Sequence, residues 1–197
     1  MLAKALLATL PHVPRPLLWP IARRYVAGVT LEAAVAKLGE LAARGYPGII
    51  DVLGEDVTSP EAARAVVRQY AEASDALANA GLDAYVSVKP THFGLRISEG
   101  LALELYRELA RHCAEHGQFV RVEMEDHTTT DASLRLFEAL RAEHSNTGIV
   151  LQSRLLRTPA DVERLARSNG DARGLSVRLV KGIYLEPPEV AHTAPEP

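Results

Sequence analysis

Two lysines and a cluster of carboxylates are the residues best placed to do chemistry. Lys89 and Lys181 each fall at the end of a stretch rich in Val or Leu, 84–90 and 175–181. A lysine at the end of a buried strand can form a Schiff base if its neighbours favour the free amine, which gives an aldolase-like hypothesis. Glu123-Met124-Glu125-Asp126-His127 is rich in oxygen and nitrogen ligands. On an extended strand, however, Glu123 and Glu125 face one way and Asp126 the other, and no second histidine is tied to them, so no metal centre is expected. Plainer roles stand beside these. Asp51, Arg121, Glu123 and Glu125 can form a structural ion-pair network, Lys89 and Lys181 can be rim lysines, and Gln152 a satisfied buried amide. Cys113 falls in the amphipathic stretch Leu101–His116 and reads as a helix-packing residue. His112 and His116, one turn apart in that stretch, read as solvent-facing. Neither GxGxxG nor GxxxxGK[ST] occurs.

These residues need strands to position them. Runs rich in Val, Ile and Leu predict strands near 48–55, 84–90, 119–125, 148–153 and 175–181, as buried parallel strands tend to look. Helices fill the gaps. Ser59-Pro60-Glu61 supplies an N-cap, a first-turn proline and an acid at the positive helix end, and Thr158-Pro159-Ala160-Asp161 predicts the same device. Gly81, Gly117 and Gly170 stand where helices should stop. A further helix is expected over about 31–44. Strand starts fall roughly 36, 35, 29 and 27 residues apart by this reading, against ~31 residues per unit in a (β/α)8 barrel.

Spacing alone also suits a doubly wound open sheet, but the strand faces argue for the barrel. Side chains alternate along a strand, so Asp51 and Glu55 share a face with Ile49 and Leu53. Tyr85, Ser87 and Lys89 oppose Val86 and Val88. Arg121, Glu123 and Glu125 oppose Val120, Val122 and Met124. Gln152 opposes Ile149 and Leu151, and Arg178 opposes Val177 and Leu179. Helices on both faces of an open sheet would bury those charges at a cost of several kcal/mol each if unpaired. A barrel gathers them at its C-terminal mouth, where active sites of this architecture lie. The expected fold is therefore α/β, a (β/α)8 TIM-barrel type cut after about five strands. An N-terminal helical arm (1–46) should precede the partial barrel (47–184), with a Pro-rich tail (185–197) after it.

The 197 residues are 47% hydrophobic and 24% charged with a formal charge of -3. That is a globular composition with no support for nucleic-acid binding. A single cysteine excludes an internal disulfide framework and fits a cytoplasmic protein. No run approaches the ~18–20 apolar residues of a membrane span. The first 44 residues hold six bases and two acids, a charge of +4, leaving -7 for the remainder. This reads as a solvated arm, with peripheral contact to an anionic membrane as the alternative.

Five segments together resemble the proline dehydrogenase family, of the monofunctional bacterial type. Arg178-Leu179-Val180-Lys181-Gly182-Ile183-Tyr184 resembles its RLVKGAY segment, and Asp51-Val52-Leu53-Gly54-Glu55 its D-x-L-G-E. Ser87-Val88-Lys89-Pro90-Thr91 resembles S-V-K-L-T. Glu123-Met124-Glu125-Asp126, followed by Thr130-Asp131-Ala132, resembles D-M-E-D and T-D-A, and Gly148–Gln152 resembles G-I-V-L-Q. The resemblance implies a (β/α)8 barrel that binds FAD. It implies oxidation of L-proline to Δ1-pyrroline-5-carboxylate, with electrons passed to a quinone. Gln152 and Arg178 match positions against the isoalloxazine ring, and Val180-Lys181-Gly182 matches flavin-binding backbone and side chain. Lys89 matches the lysine that helps hold the substrate carboxylate. Tyr184 lies near the pocket, and Glu55 matches an acid that pairs with an arginine closing the site.

Two departures qualify the resemblance. Glu123 replaces the family's usual Asp, which extends the carboxylate by ~1.5 Å, one bond length, and so bears on its partner, expected to be an arginine across the barrel. The family also needs three more strands and a last helix with paired arginines. The chain is thus expected to be the N-terminal part of such an enzyme, or a non-catalytic partial barrel that survives by oligomerising or by pairing with a missing piece.

Overall fold

In the computed structural model the described residues are 26–168 and 174–193. Most of the expected arm, including residues 1–25, and the expected helix stop at Gly170 lie outside them. Helix α1, Leu31–Ala42, is capped by Thr30, whose hydroxyl accepts from the Ala33 amide at 3.3 Å. Strand β1 is Gly48–Ile50, α2 is Pro60–Asn79 and β2 is Ala84–Val88. A short 3-10 turn, Pro90–Phe93, leads to α3, Glu99–Glu115. Then come β3 (Val120–Val122), α4 (Thr130–Glu143), β4 (Thr147–Gln152), α5 (Thr158–Ser168) and β5 (Val177–Val180).

The five strands are all parallel and lie in chain order. Parallel neighbours need a crossover, and the helices supply it. One sheet face is therefore covered by helices, and the other curves round a concave interior, a half-barrel. Val86, Val88, Val120, Val122, Ile149 and Leu151 meet the helical layer and are almost fully buried, as their alternation required. Tyr70, Phe93, Tyr106 and Phe137 fill the space behind them. The helix starts follow local chemistry. Ser59 accepts from the Ala62 amide at 3.2 Å and Ser98 from the Leu101 amide at 3.4 Å. Gly81 and Gly117 take the left-handed conformation just past α2 and α3.

Several expectations are corrected. The strands of 48–55 and 119–125 end at Ile50 and Val122. Asp56 takes a positive φ of 52°, and its amide bonds the Thr91 hydroxyl at 2.9 Å instead of a neighbouring strand. Beyond Val122 the ladder ends: Glu123 lines the concave cavity, while Met124 belongs to the buried core and also borders that cavity. Glu125 is instead captured by Thr91, whose amide and hydroxyl donate to it at 2.8 and 2.6 Å. Thr158 does not repeat the Ser59 cap, because its hydroxyl donates to the Gln152 carbonyl at 2.5 Å. The outward face of β5 is not covered either: Leu179 is 60% exposed. Finally, Arg121 is not at the mouth. It plugs the interior lower down, stacked over Phe119 and Tyr85 and donating to the Ser176 carbonyl at 3.1 Å. Gly148 leaves room for it, since a Cβ there would lie 2.7 Å from the Arg121 guanidinium.

Helix α1 packs Leu31 and Leu38 onto Ile50, Ala73, Leu77 and Ala84. Residues 185–193 run back along the loop after β4. The Leu156 amide donates to the Val190 carbonyl at 2.9 Å, and the His192 amide to the Arg154 carbonyl at 2.8 Å.

Candidate active site

A cavity of about 500 Å³ opens at the C-terminal ends of the strands. Every strand contributes to it: Asp51 after β1, Ser87 and Lys89 at the end of β2, and Glu123 and Met124 after β3. Gln152 comes from β4, and Arg178, Val180, Lys181, Gly182 and Tyr184 from β5 and its loop. Of the residues to which the resemblance assigns a role, only Glu55 is not in the wall.

The charges are paired. Lys89 Nζ lies 3.0 Å from Asp51 Oδ2, and the Tyr70 hydroxyl lies 2.9 Å from Asp51 Oδ1. That phenol also accepts from the Val52 amide at 3.0 Å and sits 3.0 Å from the Ser87 carbonyl. Burial, with the Asp51 charge beside it, pushes the Tyr70 phenol far above its ordinary pKa, so it is a neutral brace at working pH. Lys89 is thereby committed to an ion pair, the setting of a positioning cation. A Schiff-base lysine needs the opposite surroundings, apolar walls or a second cation, so the aldolase-like hypothesis finds no support at Lys89.

Glu123 is the second centre. Its Oε1 accepts from both the Ser87 hydroxyl and the Arg178 guanidinium. Arg178 is thus the arginine that the sequence anticipated across the barrel. Lys89, Arg178 and Lys181 stand against Asp51 and Glu123 in the wall, an excess of one positive charge that favours an anionic guest.

Gln152 is almost fully buried. Its amide nitrogen donates to the Glu125 carbonyl at 2.6 Å and the Met124 carbonyl at 3.2 Å, while its Oε1 has no partner. Buried polar atoms are nearly always satisfied, so this oxygen and the unpartnered Arg178 Nε are exceptions at the cavity wall. Gly182 lies against Gln152 at φ +96°, and a Cβ there would run into Gln152 Oε1.

Tyr184 closes one side. Its hydroxyl reaches Glu55 Oε2 at 3.4 Å, and burial, aided by the charges of Glu125 and Glu55, raises its pKa. Among the described residues the Tyr184 hydroxyl is the hydrogen-bond partner of Glu55. Sequence reasoning put Ser87 on the inward face with Lys89 but gave it no role, did not place Met124 in the wall, and missed Arg96 altogether. Arg96 ties three strand-end loops together through Asp56 at 2.8 Å, Asp126 at 2.7 Å and Thr128 at 3.2 Å. Its only signal was its position in a loop after a strand.

Comparison with known proteins decides the kinship. The sequence model of the family described as proline dehydrogenase matches residues 34–193. This chain belongs to the proline dehydrogenase family. It is similar to proline dehydrogenase of Deinococcus radiodurans, 34% identical over 186 residues, covering 92% of this chain and 58% of that protein. It is also similar to proline dehydrogenase 1 of Bacillus subtilis, 33% identical over 170 residues, covering 86% of this chain and 55% of that one. The chain therefore spans a little over half the length of these curated relatives. In fold it is similar to proline utilization A (PutA) from Bdellovibrio bacteriovorus inactivated by N-propargylglycine. The TM-score is 0.74 at 24% identity, covering 84% of this chain and 20% of that one. PutA of Bradyrhizobium japonicum superposes with a TM-score of 0.62 at 22% identity, covering 79% and 18%. Among the described residues no helix is long and apolar enough to cross a membrane.

Proposed function

We propose that this cavity receives the isoalloxazine of FAD and that the protein oxidises L-proline to Δ1-pyrroline-5-carboxylate. The observation that carries the reading is the unpartnered Gln152 oxygen facing the side-chain-free Gly182 within a cationic, strand-end cavity. A planar heterocycle bearing N–H and carbonyl groups suits such a wall. Gln152 would accept from it, Arg178 and Lys181 would donate, and Val180 would give an apolar contact. Bound there, FAD would supply the acceptor for a hydride.

The chain's own residues do the positioning. Oxidation removes a hydride from a ring carbon of proline and a proton from its nitrogen, leaving a carbon–nitrogen double bond. Lys89 would hold the substrate carboxylate, with Asp51 and the Tyr70 brace fixing where its ammonium stands. Glu123 orients Arg178, and Tyr184, held by Glu55, would limit the ring from one side. Such fixed placement supplies a substantial share of the rate advantage of a bound pair. Return of the electrons to a quinone belongs to the same reading. The +4 charge of the first 44 residues suits a cytoplasmic protein that rests on anionic lipid.

The test is to incubate the 197-residue chain with FAD, remove unbound flavin, and follow the visible spectrum as proline is added. A retained flavin spectrum that bleaches with proline is expected. A colourless chain would overturn the flavin site. Retained flavin that proline does not bleach, with or without an added dye, would overturn the substrate.

A further inference from the structure

At the other end of the molecule, away from the cavity, three side chains of the helical layer converge on one point. Asp75 comes from α2, His112 from the last turn of α3, and His116 from the residue that caps α3. His112 Nε2 lies 2.7 Å and His116 Nε2 3.0 Å from the same oxygen, Asp75 Oδ1. One ligand atom from each residue falls within 4.8 Å of the others. The two imidazoles stand 5.5 Å apart between centroids and at 73° to each other, so the rings splay while their Nε2 atoms meet.

We propose that Asp75, His112 and His116 form a binding site for a divalent cation of the zinc class, which staples α2 to α3. The spacing is that of a helical i, i+4 pair, which puts both rings over one turn. Metal–nitrogen bonds of ~2.0–2.1 Å and a metal–oxygen bond of similar length put tetrahedral ligand atoms roughly 3.3 Å apart. The Asp75–His contacts are a few tenths of an ångström shorter, so small side-chain movements admit the ion. Two imidazoles and one carboxylate match borderline cations such as Zn²⁺ and not Mg²⁺ or Ca²⁺, which prefer oxygen cages. The three side chains are 30–46% exposed, which leaves the fourth coordination position to solvent. Cys113 is not that ligand, because it is buried in the core beneath α3. The site lies on the side where the strands begin: His116 also lines a cleft of about 330 Å³ with Tyr85, Gly117 and Phe119. Its role is therefore structural and independent of the chemistry at the cavity. Two imidazole N–H groups bonding one carboxylate without a metal is the competing arrangement.

The test uses the chelator-treated 197-residue chain, titrated with Zn²⁺ against a colorimetric zinc chelator while its melting temperature is recorded. One Zn²⁺ per chain and a rise in melting temperature are expected, because a ligand that binds only the folded state stabilises it. Asp75→Asn, His112→Ala and His116→Ala should each weaken binding on the order of tenfold or more, since even groups behind the ligands contribute that much. His144→Ala, at the end of α4, should bind as the parent does. Histidine ring NMR resonances of the unaltered chain give a readout that needs no variant: those of His112 and His116 should move first. No binding, binding unchanged in all three variants, or movement only at other histidines would overturn the proposal.

Discussion

Glu123 and Arg178, 55 residues apart in the chain, meet across the concave face of the sheet, and the Ser87 hydroxyl shares the same carboxylate oxygen. The contact joins the loop after β3 to β5 and passes over β4, which supplies Gln152 between them. It sets the position of the guanidinium that the proposed flavin would touch, and it does so with the longer of the two acidic side chains.

Removing this carboxylate should therefore leave Arg178 half-buried without a counter-charge. Glu123→Ala is expected to destabilise the chain by about 1–3 kcal/mol, the range for stranding a partly buried hydrogen-bonded group, and to weaken FAD binding. Glu123→Asp keeps the charge but draws it back by one methylene. It should recover most of the stability and only part of the flavin affinity. Urea unfolding and FAD titration of both variants check this, and equal FAD affinity in all three proteins would make the extra methylene incidental.

Gly182 gives a sharper test of the cavity. Its φ of +96° and the closeness of Gln152 Oε1 both exclude a side chain. Gly182→Ala should cost about 1–3 kcal/mol as backbone strain and push the Gln152 amide off its carbonyl partners. The expected result is loss of FAD retention beyond what the stability change explains. A Gly182→Ala chain that still retains FAD fully would separate this glycine from the cofactor.

Through Asp51, Tyr70 braces Lys89, the lysine proposed to hold the substrate. Tyr70→Phe removes the hydroxyl that meets the Val52 amide, Asp51 and the Ser87 carbonyl. Leaving such buried groups unmet costs about 1–3 kcal/mol. Asp51 and hence Lys89 would lose their fixed geometry, so the KM for proline should rise while FAD binding stays. Steady-state kinetics beside an FAD titration distinguishes this positioning effect from general unfolding.

Much of this arrangement could be read from residue types, and its limits have physical causes. The five strands declared themselves because each is an apolar run, and the cap at Ser59 because serine, proline and glutamate each favour one place at a helix start. The inward set Asp51, Lys89, Glu123, Gln152 and Arg178 followed from period-two alternation. Alternation holds only while the backbone stays in the ladder, and it misplaced Glu125 just past Val122. There Thr91, 34 residues earlier, captures the Glu125 carboxylate. Thr158 was misread for a similar reason. Its hydroxyl had a nearer acceptor in the Gln152 carbonyl, which no local pattern announces. The pairings Tyr184–Glu55 and Arg96–Asp126 depend on how strand-end loops fold over one another. The His112–His116 spacing was visible, but Asp75 on the facing helix was not.

The last prediction concerns pH and His92. This side chain is buried beneath the strand ends, with Nδ1 unpartnered. Burial, reinforced by the Lys89 cation and opposed by Asp51 and Glu55, lowers its pKa from 6.5. The unfolded chain therefore binds a proton at His92 more readily than the folded chain does. By linkage, the stability contributed by keeping His92 neutral is fully present above about pH 6.5 and is lost as pH falls toward the lowered folded value. Glu125 has the opposite sign, because burial raises its pKa above 4.5. Its ionisation makes stability decline as pH rises from 4.5 through that raised value. The His92 share must therefore be read as a difference between two proteins. Urea midpoints of the parent chain and of His92→Asn, measured from pH 7.5 down to about 5.5, one unit below the ordinary histidine value, should converge as the pH falls. The parent should lose stability more steeply over that window, and parallel curves would show that His92 is no less easily protonated in the folded chain than in the unfolded one.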